Sequence, residues 1–381
     1  MKVLQLCKFF SPVAGGMEAV VFELAEGLSR RGVEVDVLCA DLGRQTVREK
    51  RVAGYGVTRV GSWGRLNATS VAPALLGEFR RAQRGCDIVH VHMPDPLAAL
   101  AVRLAPPTAR LVVHWHSDVV RQRIARVVYA PLQAWLLRRA DAVIATSAAY
   151  AASSPWLRRC AGKTTVVPIG ISDNAGRRDA SAAAEIRRRF GNRKIVFSLG
   201  RMSPYKGFDV LIDAAARLSG DCIVVVGGEG ELLERHRRSV AARGLTEKIV
   251  FVGGISDEEL PTYFEAARVF CLASTLRSEA YGVVLVEAMA MSTPVVATDI
   301  AGSGVPWVNQ SGVTGLNVPP GDSRALAEAL AKIIDDDALA ARFGQAARQR
   351  YLGYLTAEGM VDSTVRLYNR LIATGMPPLL H

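Results

Sequence analysis

One feature constrains this 381-residue chain most: short apolar runs alternate with longer amphipathic stretches, and the alternation occurs twice. Lys2–Phe9 reads as a buried strand and Glu18–Arg31 as a helix, with Val20, Val21, Leu24 and Leu28 at helical spacing. Gly32 ends that helix. Val33–Ala40, Asp87–His92, Arg110–His114, Ala142–Thr146 and Thr165–Ile169 read as further strands. The second half repeats the plan. Strands are expected at Lys194–Leu199, Cys222–Val226, Ile249–Val252, Val269–Leu272 and Pro294–Ala297. Helices are expected at Gly207–Leu218, Glu231–Arg243, Glu258–Ala266, Val283–Ala290 and Met360–Ala373. Parallel strands need long crossovers, and helices supply them on both faces of a sheet. The fold class is therefore α/β: two doubly wound, Rossmann-like domains facing a central cleft. The expected domains are 1–175 and 191–359, with the Ala/Arg-rich stretch 176–190 as linker and a last helix, 360–381, packing back on the first domain.

Composition removes several classes. The chain is 50% hydrophobic and 22% charged, too apolar for disorder. Its six cysteines are scattered with no C-x-x-C pair, which excludes a disulfide scaffold and suits a reducing compartment. No secretory signal is visible and no apolar run reaches membrane-spanning length, so the expected location is cytoplasmic. Net charge is +11, unevenly placed: residues 1–190 carry 28 Lys+Arg against 15 Asp+Glu, and residues 191–381 carry 19 against 21. The one-sided excess points to an anionic partner for the first half. Candidate clusters are Arg80, Arg81 and Arg84; Arg121, Arg123 and Arg126 with Arg138 and Arg139; and Trp156 with Arg158 and Arg159.

In open parallel sheets ligands bind beyond the carboxyl ends of the strands, so the loops there carry the chemistry. The first loop, Phe10–Gly16, puts Gly15 and Gly16 directly before a helix. Glycines there let a ligand approach the backbone, and the helix N-terminus offers N–H groups to an anion; taken alone, the pair does no more than make the turn. The second, Gly-Arg-Met-Ser-Pro-Tyr-Lys-Gly at 200–207, brings Arg201 and Lys206 toward one point before a helix, a clamp for phosphate. The third, 279–287, has glutamates eight positions apart. Gly282 turns the chain into a helix. The amides of Tyr281, Gly282 and Val283 face an anion, Glu279 can hold a sugar hydroxyl, and Glu287 can accept from a vicinal diol such as a ribose. Glu287 sits in an apolar helix, where an unpaired carboxylate is costly.

Histidines end two adjacent strands: His90 and His92, then His114 and His116. Alternation puts each pair on one face. His116, at the strand's carboxyl end, suits a buried or catalytic role. Four histidines raise a metal reading, but no H-E-x-x-H or comparable spacing supports it, and no metal is expected. Gly227–Gly230 lacks G-x-G-x-x-G, which disfavours a nicotinamide enzyme, and no P-loop occurs. Asp335 and Asp337, the only D-x-D, read as a helix end.

Together these loops resemble glycosyltransferase family 4, whose fold is GT-B; the match runs from Lys2 to about Ala373. The resemblance implies a hexosyltransferase that retains anomeric configuration and needs no metal or other cofactor. It implies that Gly16, Arg201 and Lys206 contact the donor diphosphate, that Glu287 holds the ribose and that Ile255 lies by the base. Glu279, with the amides following it, would position the sugar, and His116 would touch that sugar near the reacting carbon. Ala280 and Tyr281 stand where many members have Gly and Phe. The run from His116 to Gln122 is similar to polysaccharide mannosyltransferases of the family. The expected donor is GDP-mannose. The expected acceptor is a polyprenyl-diphosphate-linked saccharide of O-antigen or exopolysaccharide synthesis, met at an anionic membrane surface by the basic domain. A UDP-sugar donor and a GT-B sugar-nucleotide 2-epimerase are the alternatives. A donor-binding protein without catalysis is disfavoured by the complete motif set. A nucleic-acid partner is not expected, since stacking motifs and a recognition helix are missing.

Overall fold

The computed structural model describes residues 1–13, 15–66, 69–118, 123–218 and 221–374, with the backbone alone for 65, 66, 69 and 123–128. The chain forms two compact units: Met1–Ser172 with the chain from Ala357 onward, and Asp173–Thr356.

The first unit is built on an eight-stranded sheet. Its spatial order is Thr164–Val166, Ala142–Ala145, Arg110–Trp115, Ile88–Met93, Lys2–Leu6, Glu34–Ala40, Gly56–Val60 and Val47–Lys50. All neighbours are parallel except the last pair, which is antiparallel. Ile88–Met93 and Ala142–Ala145 are buried along their whole length, as strands covered on both faces must be. From the first strand the chain builds outward on one side, then crosses back to Ile88–Met93 on the other. The reversal leaves a crevice between the carboxyl ends of those two strands. Helix Gly16–Arg30 buries Val20, Val21, Leu24, Ala25 and Leu28. Helix Ala357–Ala373 buries Met360, Val361, Thr364, Leu367 and Tyr368, one apolar stripe at helical period, and packs on the first helix. The crossing is close at Gly27, where a Cβ would lie 2.5 Å from Val361 Cγ2. Arg31 Nε donates to Asp362 Oδ1 at 2.8 Å beside it.

The second unit carries six parallel strands in the order Ile249–Gly253, Cys222–Gly227, Lys194–Leu199, Val269–Leu272, Val295–Thr298 and Gly315–Val318. Its reversal lies between Lys194–Leu199 and Val269–Leu272. Val196, Val224, Val269 and Val296 of the strands pack with Leu211, Leu326, Leu330 and Phe343 of the helices.

Three expected elements, Lys194–Leu199, Val269–Leu272 and Val283–Ala290, coincide with the observed ones, and most others differ by a few residues. The stretch 176–190, expected as a linker, instead contains helix Ala180–Arg189 of the second unit. Asp179 caps it by accepting from Ala182 N at 2.9 Å, and Arg187 Nε donates to Ala266 O at 3.2 Å. Alanine has the highest helix propensity, which makes an Ala-rich run a helix before it is a tether. Strands Val47–Lys50, Gly56–Val60 and Gly315–Val318 and helices Ser323–Asp335 and Asp337–Tyr354 were outside the sequence expectation. Asp335 ends one helix, and Asp336 caps the next by accepting from Leu339 N at 2.9 Å. Among the described residues no helix is long and apolar enough to cross a membrane.

Candidate active site

In the second unit the loops at the sheet reversal are the two richest in motif residues, 200–207 and 273–282. Gly207 makes their contact possible. Its φ of 67° is left-handed, and a Cβ there would lie 2.0 Å from Ala273 O. Lys206 reaches across, and its Nζ donates to Glu279 Oε2 at 2.7 Å. Ser274 Oγ donates to the same oxygen at 2.8 Å. Burial pulls the Lys206 ammonium down, but the neighbouring Glu279 charge and hydrogen bond outweigh it, so its pKa is raised and it stays charged. Arg201 is exposed and its side chain makes no hydrogen bond or ion pair among the described residues, while its charge acts on Lys206. The two cations expected to converge therefore differ: one is held by a carboxylate, the other is open.

Glu279 is 8% exposed. Its segment is pinned by Ser303 Oγ donating to Glu279 O and by Gly304 N donating to Ala280 O at 2.7 Å. Ala280 and Tyr281 are buried, with the Tyr281 ring 6.2 Å from that of Trp307. Gly282, at φ 78°, starts helix Val283–Ala290 and carries no capping side chain. Helices Phe208–Ala215 and Gly16–Arg30 also start behind a glycine, Gly207 and Gly15, without a side-chain cap. Elsewhere Asp95, Asp179, Asp322 and Asp336 cap helices with their carboxylates. First-turn amides have no intrahelical acceptor, and at the three helices behind the motif loops the N-cap residue does not cover them, although at Gly15 the Glu18 carboxylate lies against the chain. Glu287 is half-buried one turn into its helix. Ile255 packs on Gly227, where a Cβ would lie 2.6 Å from its Cδ1.

Gly227–Gly230 braces the loop 200–207. Gly200 N donates to Gly227 O at 3.2 Å and Met202 N to Glu229 O at 2.8 Å. A Cβ on Gly228 would lie 2.1 Å from Gly200 O.

In the first unit the loop before Gly16 is tied down by two arginines, Arg59 in strand Gly56–Val60 and Arg51 just after the edge strand Val47–Lys50. Arg59 Nη1 donates to Phe10 O at 3.1 Å and Arg51 Nη2 to Ser11 O at 2.9 Å. Both guanidinium groups lie over the Phe10 ring. Nothing in the sequence marks these two arginines. The Gly15 side of the loop faces Glu18, whose Oε2 would lie 2.1 Å from a Cβ there.

The four histidines form one buried block. His90, His92 and His114 are 0% exposed and His116 is 8% exposed. His116 N donates to Met93 O at 2.9 Å, which fixes the strand end. The His114 and His116 rings stack at 4.2 Å. His92 Nδ1 lies 2.9 Å from His116 Nε2, and His92 Nε2 lies 2.8 Å from Gln5 Oε1. Burial pushes His90 and His116 down to about 3 and the other two well below their usual value, so all four are neutral at pH 7. His90, His92 and His114 bring ring nitrogens within 4.8 Å of one another. Holding a metal with all three would require His92 to give up one of its two hydrogen bonds. Asp118 anchors the loop after His116, accepting from Trp115 Nε1 at 2.9 Å and Ser154 Oγ at 2.8 Å.

The basic clusters are resolved in part. Arg80, Arg81, Arg84, Arg138, Arg158 and Arg159 are exposed, and Arg159 lies 5.1 Å over the Trp156 ring. Arg139 does not belong to that surface: it is buried, with Nη2 donating to Pro107 O at 3.0 Å. Arg121 lies outside the described residues, as do the side chains of Arg123 and Arg126.

Comparison with known proteins agrees with this layout. The family model described as Glycosyltransferase Family 4 matches residues 14–175, and that described as Glycosyl transferases group 1 matches 181–350. The chain is 34% identical over 373 residues to O-antigen chain mannosyltransferase C of Escherichia coli, covering 98% of this chain and 99% of the relative. It is 32% identical over 362 residues to a D-rhamnosyltransferase of Pseudomonas aeruginosa, covering 94% and 93%. Sucrose-phosphate synthase from Thermosynechococcus elongatus superposes with a TM-score of 0.83 at 25% identity, over 98% of this chain and 100% of that one. Two parallel-sheet α/β units, matched over almost their whole length by glycosyltransferases, make the fold GT-B, and the chain belongs to the family 4 glycosyltransferases.

Proposed function

We propose that this glycosyltransferase moves a hexose, mannose from GDP-mannose, with retention onto a lipid-diphosphate-linked saccharide in O-antigen or exopolysaccharide synthesis. The observation that carries the donor site is the Lys206–Glu279 pair bridging two loops at the reversal of the second sheet. Arg201, Lys206 and the amides after Gly282 hold the diphosphate. Glu279 positions the sugar, Glu287 takes the ribose, and Ile255 lies by the base. In the first unit Gly15 and Gly16 approach the diphosphate and His116 contacts the sugar. Glycosyl transfer passes through an oxocarbenium-like state as the leaving group takes charge. Lys206, held by Glu279, the exposed Arg201 and helix N-termini neutralise that charge, which is the task a metal ion performs in other transferases, so turnover is expected in EDTA. The mannose reading is supported by the likeness to an O-antigen mannosyltransferase. The acceptor is met at an anionic membrane through Arg80, Arg81 and Arg84 and through Arg158 and Arg159 beside Trp156.

Calorimetric titration with GDP and with UDP in EDTA tests the donor. Binding of GDP alone supports the mannose donor, and binding of UDP alone replaces it with a UDP-sugar. Binding of neither removes the donor site. Pelleting with anionic vesicles at low salt tests the membrane, and no pelleting removes that part.

A further inference from the structure

Buried polar residues in central strands are the informative exceptions in an apolar core. The first unit has a connected run of them on the face that ends at His116. Tyr368 OH lies 2.6 Å from His90 Nδ1, and Gln5 Nε2 lies 3.3 Å from Tyr368 OH. Gln5 Oε1 lies 2.8 Å from His92 Nε2, and His92 Nδ1 lies 2.9 Å from His116 Nε2. Gln5, His90, His92 and Tyr368 are all 0% exposed.

Each link needs one donor and one acceptor, so the links are not independent. A neutral imidazole carries one N–H and one bare nitrogen. With Gln5 Oε1 toward His92, His92 must be protonated at Nε2. Its Nδ1 is then bare and can only accept, so His116 carries its proton on Nε2. At the other end Gln5 Nε2 donates to Tyr368, which donates its O–H to His90 Nδ1. The lengths favour this direction. O–H donors make bonds of about 2.5–3.0 Å and N–H donors bonds of about 2.7–3.2 Å. The 2.6 Å contact suits the tyrosine hydroxyl as donor to His90. The 3.3 Å contact lies beyond the hydroxyl range and closer to that of an amide.

We propose that Gln5, His92 and Tyr368 are positioning residues that fix the tautomer of His116, with the proton on Nε2 and a lone pair on Nδ1. His116 Nδ1 makes no hydrogen bond among the described residues. In this tautomer it accepts from a donor such as a sugar hydroxyl and cannot itself donate. That consequence rests on the reading above that His116 meets the transferred sugar, whereas the tautomer does not. The state of one strand-end imidazole is thereby set by a helix that joins its unit only at Ala357.

Long-range ¹⁵N–¹H spectra of histidine-labelled protein read the tautomer directly, with His116→Gln used to assign the signal. His116 is expected in the Nε2–H form. Tyr368→Phe removes what orients the Gln5 amide and Gln5→Leu removes the amide itself, and in both the His116 signal is expected to shift toward a mixture of tautomers. A wild-type His116 protonated at Nδ1 overturns the proposal, as does a pure Nε2–H signal in both folded variants. The wild-type spectrum decides even where a variant fails to fold. Sugar transfer by the two variants is expected to fall roughly three- to ten-fold in kcat, the size of one hydrogen bond, with acceptor KM little changed. A tautomer change with unaltered transfer leaves the relay standing and removes only the sugar contact of His116.

Discussion

Four neutral imidazoles in one block make an acid-sensitive core, and the size of the effect follows from the structure. An unfolded histidine protonates near its ordinary value of about 6.5, whereas His90 and His116 are held down to about 3 and His92 and His114 well below normal, by burial above all. A group with a depressed folded pKa of this kind leaves stability intact above about pH 6.5 and removes it as pH falls toward the folded value, because only the unfolded chain takes up the proton. Lowering the pH from about 7.5 to about 5.5 then costs on the order of 1 kcal/mol per imidazole, about 5 kcal/mol for four. Asp95 acts in the opposite sense. Burial raises its carboxyl to about 6, so the folded state takes up that proton first and recovers ~1 kcal/mol over the same interval. The net loss is about 4 kcal/mol, comparable with the whole stability of a small domain. Four of the five tryptophans, Trp63, Trp115, Trp135 and Trp156, lie in the first unit, so urea unfolding followed by tryptophan fluorescence reports mainly on it. The two pH values are compared by their midpoints. A difference below ~1 kcal/mol would refute the reasoning, since the imidazoles would then charge without opening the fold. His114 sharpens the test. Neither of its ring nitrogens has a hydrogen-bond partner among the described residues, so His114→Leu should trim the acid penalty by on the order of 1 kcal/mol without loss at neutral pH.

Two further outcomes concern the donor site. Arg201→Ala and Lys206→Ala should each lower turnover by ~100-fold or more, the usual consequence of removing one charge-stabilising donor from a closed site, and near-normal turnover in both would exclude the clamp. Gly207→Ala places a Cβ against Ala273 O in a left-handed conformation, so nucleotide binding should weaken together with a melting temperature lowered by a loss of about 1–3 kcal/mol; an unchanged titration would mean the two loops need not touch.

The elements that were legible in the sequence are those whose chemistry is local. Lys194–Leu199 and Val269–Leu272 are apolar runs bounded by polar turns, and Val283–Ala290 follows a glycine that marks its start. Val47–Lys50, with the sequence Val-Arg-Glu-Lys, contains no apolar run, because an edge strand needs neither face buried. Gly315–Val318 is four residues long and admits Gly315 only because Val295 O leaves no room for a Cβ. The motif loops were readable because glycines and charges at fixed spacing have few other uses. Their supports were not: Arg51 and Arg59 look like any surface arginines until the sheet brings them over Phe10. Part of the positive charge of the first half is therefore internal, and Arg139 is one of the residues that counted toward a surface it does not reach. Gln5 and Tyr368 meet across 363 positions, a pairing no window along the chain can contain.

The return of the chain to its first unit at Ala357 has a consequence for biosynthesis. On a ribosome, residues 173–356 emerge as one uninterrupted stretch and can close their own sheet as soon as they clear the exit tunnel. The sheet that begins at Lys2 cannot finish in the same way. The groove over its first helix and the hydroxyl that meets His90 stay open until Met360, Val361 and Tyr368 have been made. The histidine block is made well before the helix that seals it, and through that interval a chaperone has a defined apolar seam to cover.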